Sequence, residues 1–338
     1  MTFEWQLTTL GSITDWSSGG TPKKDEPRFW GGDIPWISAN SMHSSRCFDS
    51  DLKLTEEGLK GSRLAPSDAV LLLVRGGALH NRIPVCIATR AVAFNQDVKA
   101  IIAKKQFLRP WYLLYWLMGN ERFLLDSVVE YTGIGAGKLD TKRMQALEFF
   151  LPPLKVQDEI IEVAKAIDDR ITLLREANQT LEAIAQVLFK SWFVDFDPVR
   201  AKAEGRAPEG IDAATAALFP DAFEESELGM VPKGWTIKTL GDITERITKG
   251  TTPTTLKRPF VTSGINFVKA ESMTGGGGFI PNKFAFIDEE THQLLNRSQL
   301  KAGDILISIA GTIGRIAVMT DEFLPANTNQ AVAILRPI

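Results

Sequence analysis

The 338-residue sequence is poor in the side chains that build most metal and redox sites, with two cysteines and three histidines. Cys47 and Cys86 form no spacing typical of a zinc site, alone or together with His43, His80 and His292. We therefore expect no metal bound through these residue types. So few cysteines are typical of a reducing compartment, where disulfides are rare.

Long hydrophobic runs are also missing. The longest, near Leu113 to Met118, is bounded by Arg109 and Glu121 and is far shorter than the roughly 20 residues that span a bilayer. Met1 is followed by neither a basic patch nor an apolar segment with a cleavage site, so no signal peptide is predicted. These absences predict a cytoplasmic protein without a membrane span.

The composition itself, 44% apolar, is sufficient for two or three globular domains. The net charge of −3 is unevenly spread. Residues 1–150 carry 18 Lys and Arg against 16 Asp and Glu, residues 151–234 carry 9 against 16, and residues 235–338 carry 11 against 9. Two mildly basic segments thus flank an acidic one. This pattern suits two DNA-facing lobes on an acidic connector, although such a small excess is ordinary for any domain.

The sequence repeats itself at an offset of about 230 residues, far above the period of a solenoid. We therefore interpret the repeat as a duplicated domain. Each copy has short runs rich in Ile, Val, Phe and Trp between Gly, Pro, Asn and Ser, which predicts a largely β module with long loops. Four ordered blocks match, namely Trp5–Thr21 with Trp235–Thr251, Ile34–Met42 with Ile265–Met273, Leu64 and Asp68 with Leu300 and Asp304, and Asn95–Val98 with Asn329–Val332.

Two segments have helical periodicity. Leu108 to Val129 is predicted to form one amphipathic helix that closes the first copy, with Trp111, Leu114, Tyr115, Met118 and Phe123 on one face. A heptad pattern predicts a second helix near residues 155–193, and its 3.5-residue period favours packing against a partner helix over packing on its own domains. The predicted helix-packing positions are Ile160, Ala164, Ile167, Ile171, Leu174, Asn178, Leu181, Ala185 and Leu188.

Two segments resemble catalytic motifs and fail on detail. Gly133–Lys138 has three residues between its outer glycines where the nucleotide-binding motif has four, and Leu139 replaces the Ser or Thr that holds magnesium. Asp197–Arg200 is similar to the Asp-Pro-Pro-aromatic motif of amino-methyltransferases but lacks the second proline and the aromatic residue that stacks on the target base. No nucleophile, base and orienting group recur in both copies, so no catalytic role is predicted.

What recurs is a set of loops with glycine, small polar and basic residues beside aromatic strands. Lysines and backbone amides position DNA phosphates, whereas Asn, Ser and Arg read base edges. Taken singly, each loop is more often a solvated turn, but recurrence with changed side chains is typical of two readers with different targets. The residues predicted to bind DNA are Lys23, Lys24, Ser38, Asn40, Arg75, Lys138, Lys249, Thr251, Lys269 and Arg315.

Over its full length the chain resembles the specificity subunits of type I restriction–modification systems. The segments that carry this resemblance are Leu151–Ile160 at the start of the long helix, Ser191–Phe196 at its end, and Leu228–Trp235 before the second copy. The resemblance implies two target recognition domains, each of which reads half of a bipartite site in double-stranded DNA. It also implies that spacer helices set the distance between them.

The resemblance further implies partners that carry the chemistry. Two modification subunits would bring S-adenosylmethionine and methylate the DNA, and ATP-driven restriction subunits would cleave it. S-adenosylmethionine, ATP and magnesium are expected on those partners, and no cofactor is expected on this chain.

One departure from the family bears on these expectations. A second spacer helix normally follows the second recognition domain and pairs antiparallel with the first, and we expect this chain to be a C-terminally truncated subunit without it. The heptad positions would then pair with another copy, or the chain would be an inactive or competing fragment that binds modification subunits without directing methylation. An enzyme in its own right, such as a fused methyltransferase or nuclease, is a further alternative.

The predicted fold class is α+β, with two repeated β-rich target recognition domains joined by a long coiled-coil-type helix. We expect the first recognition domain at residues 1–150, the spacer helix at 151–196, a connector at 197–234 and the second recognition domain, incomplete at its C-terminal end, at 235–338.

Overall fold

The structure is a computed structural model that describes residues 5–132 and 136–338. Its helices and several sheets confirm the α+β class. The chain divides into two units, residues 1–177 and 178–338. Among the described residues no helix is both long and apolar enough to cross a membrane. The domain boundaries expected from the sequence stay predictions.

The first unit is built from short strands. One strand, Val70–Leu73, consists of four apolar residues with no exposed surface, which is why it lies inside a sheet rather than at an edge. The strands are β1 Gln6–Thr9, β2 Thr14–Ser18, β3 Trp30–Ile37, β4 Arg46–Cys47, β5 Lys53–Leu54, β6 Arg63–Ala65, β7 Val70–Leu73, β8 Arg75–Gly76, β9 Val85–Ala88, β10 Val92–Phe94, β11 Val98–Ala103, β12 Val129–Thr132, β13 Ala136–Leu139 and β14 Glu148–Leu151.

These strands form four small sheets. The central sheet has the order β2-β11-β7-β9-β4 and carries most of the core, and a second sheet has the order β5-β3-β10-β6. A three-stranded sheet has the order β12-β13-β8, and β1 pairs with β14. The pairing of β1 with β14 brings the start of the module to the residues that lead into the long helix.

The helices of the first unit correct one prediction. They are α1 Glu56–Leu59, α2 Pro110–Gly119, α3 Glu121–Ser127, α4 Thr141–Ala146 and α5, which begins at Leu154. The single amphipathic helix predicted from Leu108 to Val129 is wrong, because the chain leaves helical geometry at Asn120 between α2 and α3. Met118 and Phe123, predicted to be on the buried face, are 43% and 49% exposed. Apolar residues surround most of α2, so periodicity could not identify its buried face.

Helix α5 spans Leu154–Phe193, within two residues of the predicted helix. Its 40 residues correspond to a length of about 60 Å at roughly 1.5 Å per residue. The helix begins in the first unit and ends in the second.

The second unit continues with α6 Asp197–Ala203, α7 Ala213–Ala217 and α8 Glu289–Leu294. Its strands are β15 Phe223–Ser226, β16 Gly229–Pro232, β17 Thr244–Lys249, β18 Ile265–Val268, β19 Ala285–Ile287, β20 Ile305–Ser308, β21 Ile316–Val318, β22 Ala326–Thr328 and β23 Val332–Pro337. They form a four-stranded sheet of order β17-β23-β20-β21, a three-stranded sheet of order β19-β18-β22, and the hairpin β15-β16.

The two copies of the repeat share one strand arrangement. The order β17-β23-β20-β21 corresponds to β2-β11-β7-β9, and β19-β18-β22 corresponds to β5-β3-β10, with the same parallel pairing between its last two strands. We call residues 5–151 the first copy and residues 235–338 the second copy.

A β-bulge shifts the register of the repeat. The side chains of Thr14 and Thr244 both donate a hydrogen bond to the carbonyl four residues earlier, which gives an offset of 230. In β17 the pairing with β23 then skips Glu245, whereas β2 has no bulge. Gly250 therefore corresponds to Gly19, not to Gly20 as the sequence comparison suggested. A Cβ at Gly19 or Gly250 would lie about 2 Å from a carbonyl oxygen, so both positions require glycine.

A second shift changes the counterpart of Asp304. The amide of Gly303 donates to the Met319 carbonyl as that of Asp68 donates to the Ala88 carbonyl, and both residues have positive φ angles, 84° and 70°. Asp304 therefore corresponds to Ala69 rather than to Asp68. Only the hydrogen-bond pattern, and not residue identity, reveals this correspondence.

Candidate nucleic-acid interface

Two predicted DNA-binding residues of the first copy are neighbours in the three-stranded sheet. Arg75 on β8 lies directly opposite Lys138 on β13. Glycine next to each of them lets the strands approach the 3-10 turn at 77–80: Gly76 has a φ of 148°, and a Cβ at Gly137 would lie 2.6 Å from the Cβ of Leu79. Gly137, one of the glycines that suggested a phosphate loop, is therefore required for close packing against Leu79.

Arg75 and Lys138 line an open cavity of about 530 Å³ together with Lys99 and Lys142. We call this cavity the basic cleft. Among the described residues none of the cations Arg75, Lys138 and Lys142 takes part in a salt bridge, and the Lys99 ammonium donates to the hydroxyl of Ser18. The cleft therefore presents positive charge that is free to meet an anionic ligand.

Two carboxylates also line the basic cleft. Asp140 is the N-cap of α4 and accepts a hydrogen bond of 2.9 Å from the Arg143 backbone amide. That hydrogen bond, with help from the charges of Lys138 and Arg143, lowers the pKa of Asp140, so it stays ionised at neutral pH. Asp97 is the other acid, which leaves four cations against two anions in the cleft.

The sequence prediction missed Lys99 and Lys142. Lys99 lies between the buried Val98 and Ala100 on β11, but its own face of the strand also carries the buried Ile101, so the two-residue period did not mark Lys99 as outward. Lys142 lies in the first turn of α4, a helix of six residues that is too short to show a period. Only the fold brings them to Arg75 and Lys138.

Lys23 and Lys24 are exposed on the loop between β2 and β3, and they do not line the basic cleft. The loop is fixed at its base, because the Gly20 amide donates to the Phe94 carbonyl at 2.9 Å and the Trp36 indole donates to the Gly20 carbonyl at 3.0 Å. The Trp30 indole further donates to the Lys23 carbonyl. Both lysine side chains are thus presented by a loop whose backbone is held in place.

Ser38 and Lys269 occupy equivalent positions. Each is the residue before a 3-10 turn that follows a central strand, β3 or β18. Asn40 is exposed on the first of these turns. In the second copy Lys269 forms a salt bridge of 2.5 Å with Glu271, which lowers the pKa of that glutamate. The same place in the two copies therefore carries neutral polar groups in one and an ion pair in the other.

The other predicted DNA-binding residues of the second copy differ in whether they already form hydrogen bonds within the protein. Lys249 is exposed at the end of β17, and the Thr251 amide donates to the Thr328 carbonyl at 3.1 Å. The Arg315 guanidinium donates to the Met273 carbonyl at 2.8 Å, so it braces a loop. The backbone hydrogen bonds make Arg315 the counterpart of Pro84 in the first copy. The part of the glycine-rich segment at Gly133–Gly135 lies outside the described residues.

The start of helix α5 is anchored to the first copy by a buried glutamine. The Gln157 side-chain oxygen accepts from the Arg109 amide at 2.8 Å, and its nitrogen donates to the carbonyls of Phe107 and Pro152 at 2.8 and 2.9 Å. The Arg109 guanidinium in turn binds both carboxylate oxygens of Asp158. The sequence segment Leu151–Ile160 therefore anchors the helix through a buried side chain whose polar groups all have hydrogen-bond partners.

A second anchor lies three turns further along α5. Asp168 accepts hydrogen bonds from the Ser45 hydroxyl at 2.7 Å and the Arg46 guanidinium at 3.4 Å, and Arg46 also pairs with Asp169. The Arg46 guanidinium lies 5.2 Å from the ring centre of Trp111, a cation–π contact. These polar contacts fix α5 against the first copy together with Ile161, which packs on the hydrophobic core.

The predicted helix-packing positions of α5 are mostly exposed. Within the first unit the helix turns Gln157, Ile161, Ala164 and Asp168 toward the module, and only Ala164 belongs to the predicted set. Ile167 and Leu174 are 58% and 49% exposed, and Leu181 in the second unit is 63% exposed. Most of the apolar stripe therefore lies beside the face that packs on the first copy and is exposed.

No cluster of His, Cys, Asp or Glu among the described residues has the composition of a metal site. The features in place are a repeated module, a cation-lined cleft and a long helix anchored to the first module. The sequence model of the type I restriction modification DNA specificity domain matches residues 3–183, more than half of the chain. The chain belongs to this family. The family assignment expected from the sequence is thereby confirmed.

Individual members of the specificity family are similar over much of the chain. The HindI specificity subunit of Haemophilus influenzae is 29% identical over 274 residues, which are 68% of this chain and 57% of that subunit. The MjaIX specificity subunit of Methanocaldococcus jannaschii is 26% identical over 283 residues, which are 81% of this chain and 59% of that subunit. The chain thus matches less than two thirds of the length of these relatives.

Solved structures are similar as well. A type I restriction–modification S subunit from M. genitalium superposes with a TM-score of 0.45 and 14% identity, covering 100% of this chain and 73% of that one. The HsdS subunit from Thermoanaerobacter tengcongensis gives a TM-score of 0.38 and 17% identity, covering 99% and 75%.

Proposed function

We propose that this chain is a DNA sequence-recognition subunit of a type I restriction–modification complex. Each copy of the repeat reads half of a bipartite target, and helix α5 sets the separation and docks modification subunits. The observation that carries the proposal is the repeat itself: two modules with one strand arrangement and different loop side chains, in a chain of the specificity family. A duplicated reader is expected to keep its scaffold and change its loops.

The basic cleft supports DNA as the ligand of the first copy. Phosphate contacts from Lys and Arg orient a protein on the duplex and contribute much of the affinity. Arg75, Lys99, Lys138 and Lys142 line one cavity, and four cations favour a polyanion over a small neutral ligand. We assign these four side chains to phosphate contact and the exposed loop residues, such as Asn40, to base reading.

Helix α5 supports the assembly part of the proposal. Its exposed apolar stripe is suited to a second helix of the same kind, supplied in a complex or by a second copy through self-pairing. In this assignment residues 151–196 form the spacer, flanked by recognition domains at 1–150 and 235–338, with the connector at 197–234. The chain itself performs no chemistry, and S-adenosylmethionine, ATP and magnesium belong to the modification and restriction subunits.

The proposal is tested by co-expressing the chain with modification subunits of its own system and mapping the methylated bases. We expect methylation at one defined bipartite or palindromic sequence. Binding of modification subunits without sequence-defined methylation would contradict the proposal and support a competing role. Methyl transfer by the purified chain alone would also contradict it.

A pair of variants separates recognition from folding in the same experiment. Arg75→Ala with Lys138→Ala removes the two paired cations of the basic cleft and should weaken methylation at every site without changing the sequence methylated. The matched control is Arg122→Ala with Lys105→Ala, which removes one arginine and one lysine that lie outside the cleft, and it should methylate normally.

A further inference from the structure

The two cysteines of the chain meet inside the first unit. Cys47 on β4 and Cys86 on β9 are 39 residues apart in sequence, and the Cys86 thiol lies 3.0 Å from the Cys47 sulfur. Both are buried, with 4% and 0% exposure, in the main hydrophobic core. In the set of described residues each is a free thiol.

The strands around this pair make it suitable for a covalent bond. β4 and β9 are parallel neighbours, with Arg46 opposite Ile87 and Cys47 opposite Ala88, so both cysteine side chains point to the same face. A disulfide requires a sulfur separation of about 2.05 Å, so the two sulfurs need to approach by only about 1 Å. Two neighbouring strands already hold them at the separation from which this step is possible.

We propose that Cys47 and Cys86 form a redox modification site, at which hydrogen peroxide oxidises the two thiols to an intramolecular disulfide. One thiolate attacks the peroxide oxygen to give a sulfenic acid and one water after proton transfer, and the second thiol displaces a second water to form the sulfur–sulfur bond. The two cysteines lose two hydrogens and two electrons, and hydrogen peroxide is reduced to two waters.

The two sulfurs differ in reactivity, and this difference decides which cysteine is oxidised first. The hydrogen bond to Cys47 and burial raise the pKa of the Cys86 thiol, which keeps it protonated and slow to attack. Cys47 is also the less buried of the two. Cys47 is therefore the residue oxidised first, and Cys86 resolves the sulfenic acid.

The bond would act on the strand that holds helix α5. β4 contains Arg46, which binds Asp168 and Asp169, and Ser45 precedes it with a bond to the same helix. The Ile87 amide on β9 donates to the Ser45 carbonyl at 2.8 Å, and the amide of Thr89, directly after β9, donates to the Cys47 carbonyl at 3.0 Å. A disulfide ties β4 to β9 and so resists separation of the second α5 anchor from the central sheet.

The test uses the full chain, reduced and then exposed while folded to hydrogen peroxide, with alkylation of remaining thiols after denaturation. We expect no alkylated thiol, a mass lower by two hydrogens, and one linked peptide containing Cys47 and Cys86. The same oxidant applied to the denatured chain checks that the dose is sufficient. Two alkylated thiols, or bonds only between chains, would overturn the proposal.

The clamping effect is tested separately by amide exchange and thermal unfolding. Oxidation should slow exchange at Ile87 and Thr89 more than at Ala88, whose amide donates to the Ala69 carbonyl directly before β7. It should also raise the unfolding midpoint of the first unit by about 5 °C. Cys47→Ser and Cys86→Ser should each abolish both effects. An equal rise in either variant would show that oxidation acts elsewhere.

Discussion

The first and second copies share a backbone hydrogen-bond pattern but carry different side chains at equivalent positions. At one matched pair of positions the first copy has Ala69 and Ile102, whereas the second has the buried Asp304 and its bidentate partner Arg336, with both nitrogen–oxygen distances at 2.7 Å. Backbone pairing is therefore the conserved property of the module. Side chains at equivalent positions can change from two apolar residues to an ion pair without a change in strand order.

The same comparison separates the two copies at their surfaces. Leu10 has no exposed surface, because the segment around Met144, Leu147 and Phe149 covers it, whereas its counterpart Leu240 is 59% exposed and none of the described residues covers it in that way. Two cations of the basic cleft also lack a charged counterpart in the second copy. Ala310 and Ala333 occupy the positions of Arg75 and Lys99. These two proposed phosphate contacts are thus features of one copy and not of the scaffold.

Breaking the buried ion pair of the second copy is expected to have the largest effect on stability. Asp304→Ala leaves the Arg336 guanidinium, 12% exposed, without its carboxylate, and should lower the free energy of unfolding of the second unit by about 3–5 kcal/mol. Asp68→Asn is the control, since Asn tolerates the positive φ angle of Asp68 and the change removes only an exposed pair with Lys105 that should contribute under about 1 kcal/mol. Urea unfolding monitored by hydrogen exchange in each unit measures both. Equal losses would contradict the buried role of Asp304.

Substitutions of the equivalent residues Leu10 and Leu240 test whether the first copy buries this position and the second copy leaves it exposed. Leu10→Ala should destabilise the first unit by about 2–5 kcal/mol, because it removes a fully buried side chain, whereas Leu240→Ala should cost within about 0.5 kcal/mol. The same urea experiment applies. A cost at Leu240 as large as that at Leu10 would mean that the second copy is covered in solution.

The glutamine anchor has a smaller expected effect. Gln157→Ala leaves the Arg109 amide and the carbonyls of Phe107 and Pro152 without partners, and each such group costs about 1 kcal/mol or more, so we expect a loss of roughly 2–3 kcal/mol from the first unit. Gln186→Ala, on an exposed turn of the same helix, should change stability within about 0.5 kcal/mol. Similar values for the two variants would argue against anchoring by Gln157.

The sequence predicted the parts of the fold that depend on pattern. The 40-residue helix, the duplicated β modules and the pairing of Ser38 with Lys269 follow from periodicity and block order. The sequence comparison did not predict the bulge at Glu245, since one inserted residue changes no residue type and is visible only as a break in strand pairing. It also missed the break at Asn120, because the apolar composition of α2 hides the face that is buried.

The candidate site was predictable only in part, for a related reason. Arg75 and Lys138 stood out because glycines flank them, but Lys99 and Lys142 are ordinary surface residues until β11 and α4 bring them to the same cavity. Convergence of charge is a property of the folded chain. It is therefore the property that an experiment on the site has to test.

The most direct test of the account is how the affinity of the complex for DNA depends on salt concentration. The DNA carries the sequence that the complex methylates. For the unmodified complex the logarithm of affinity should fall linearly with the logarithm of salt concentration, and Arg75→Ala with Lys138→Ala should reduce that slope by about 2 while sequence preference is kept. Arg122→Ala with Lys105→Ala should leave the slope unchanged. An unchanged slope and affinity in the cleft variant would contradict phosphate binding by the basic cleft.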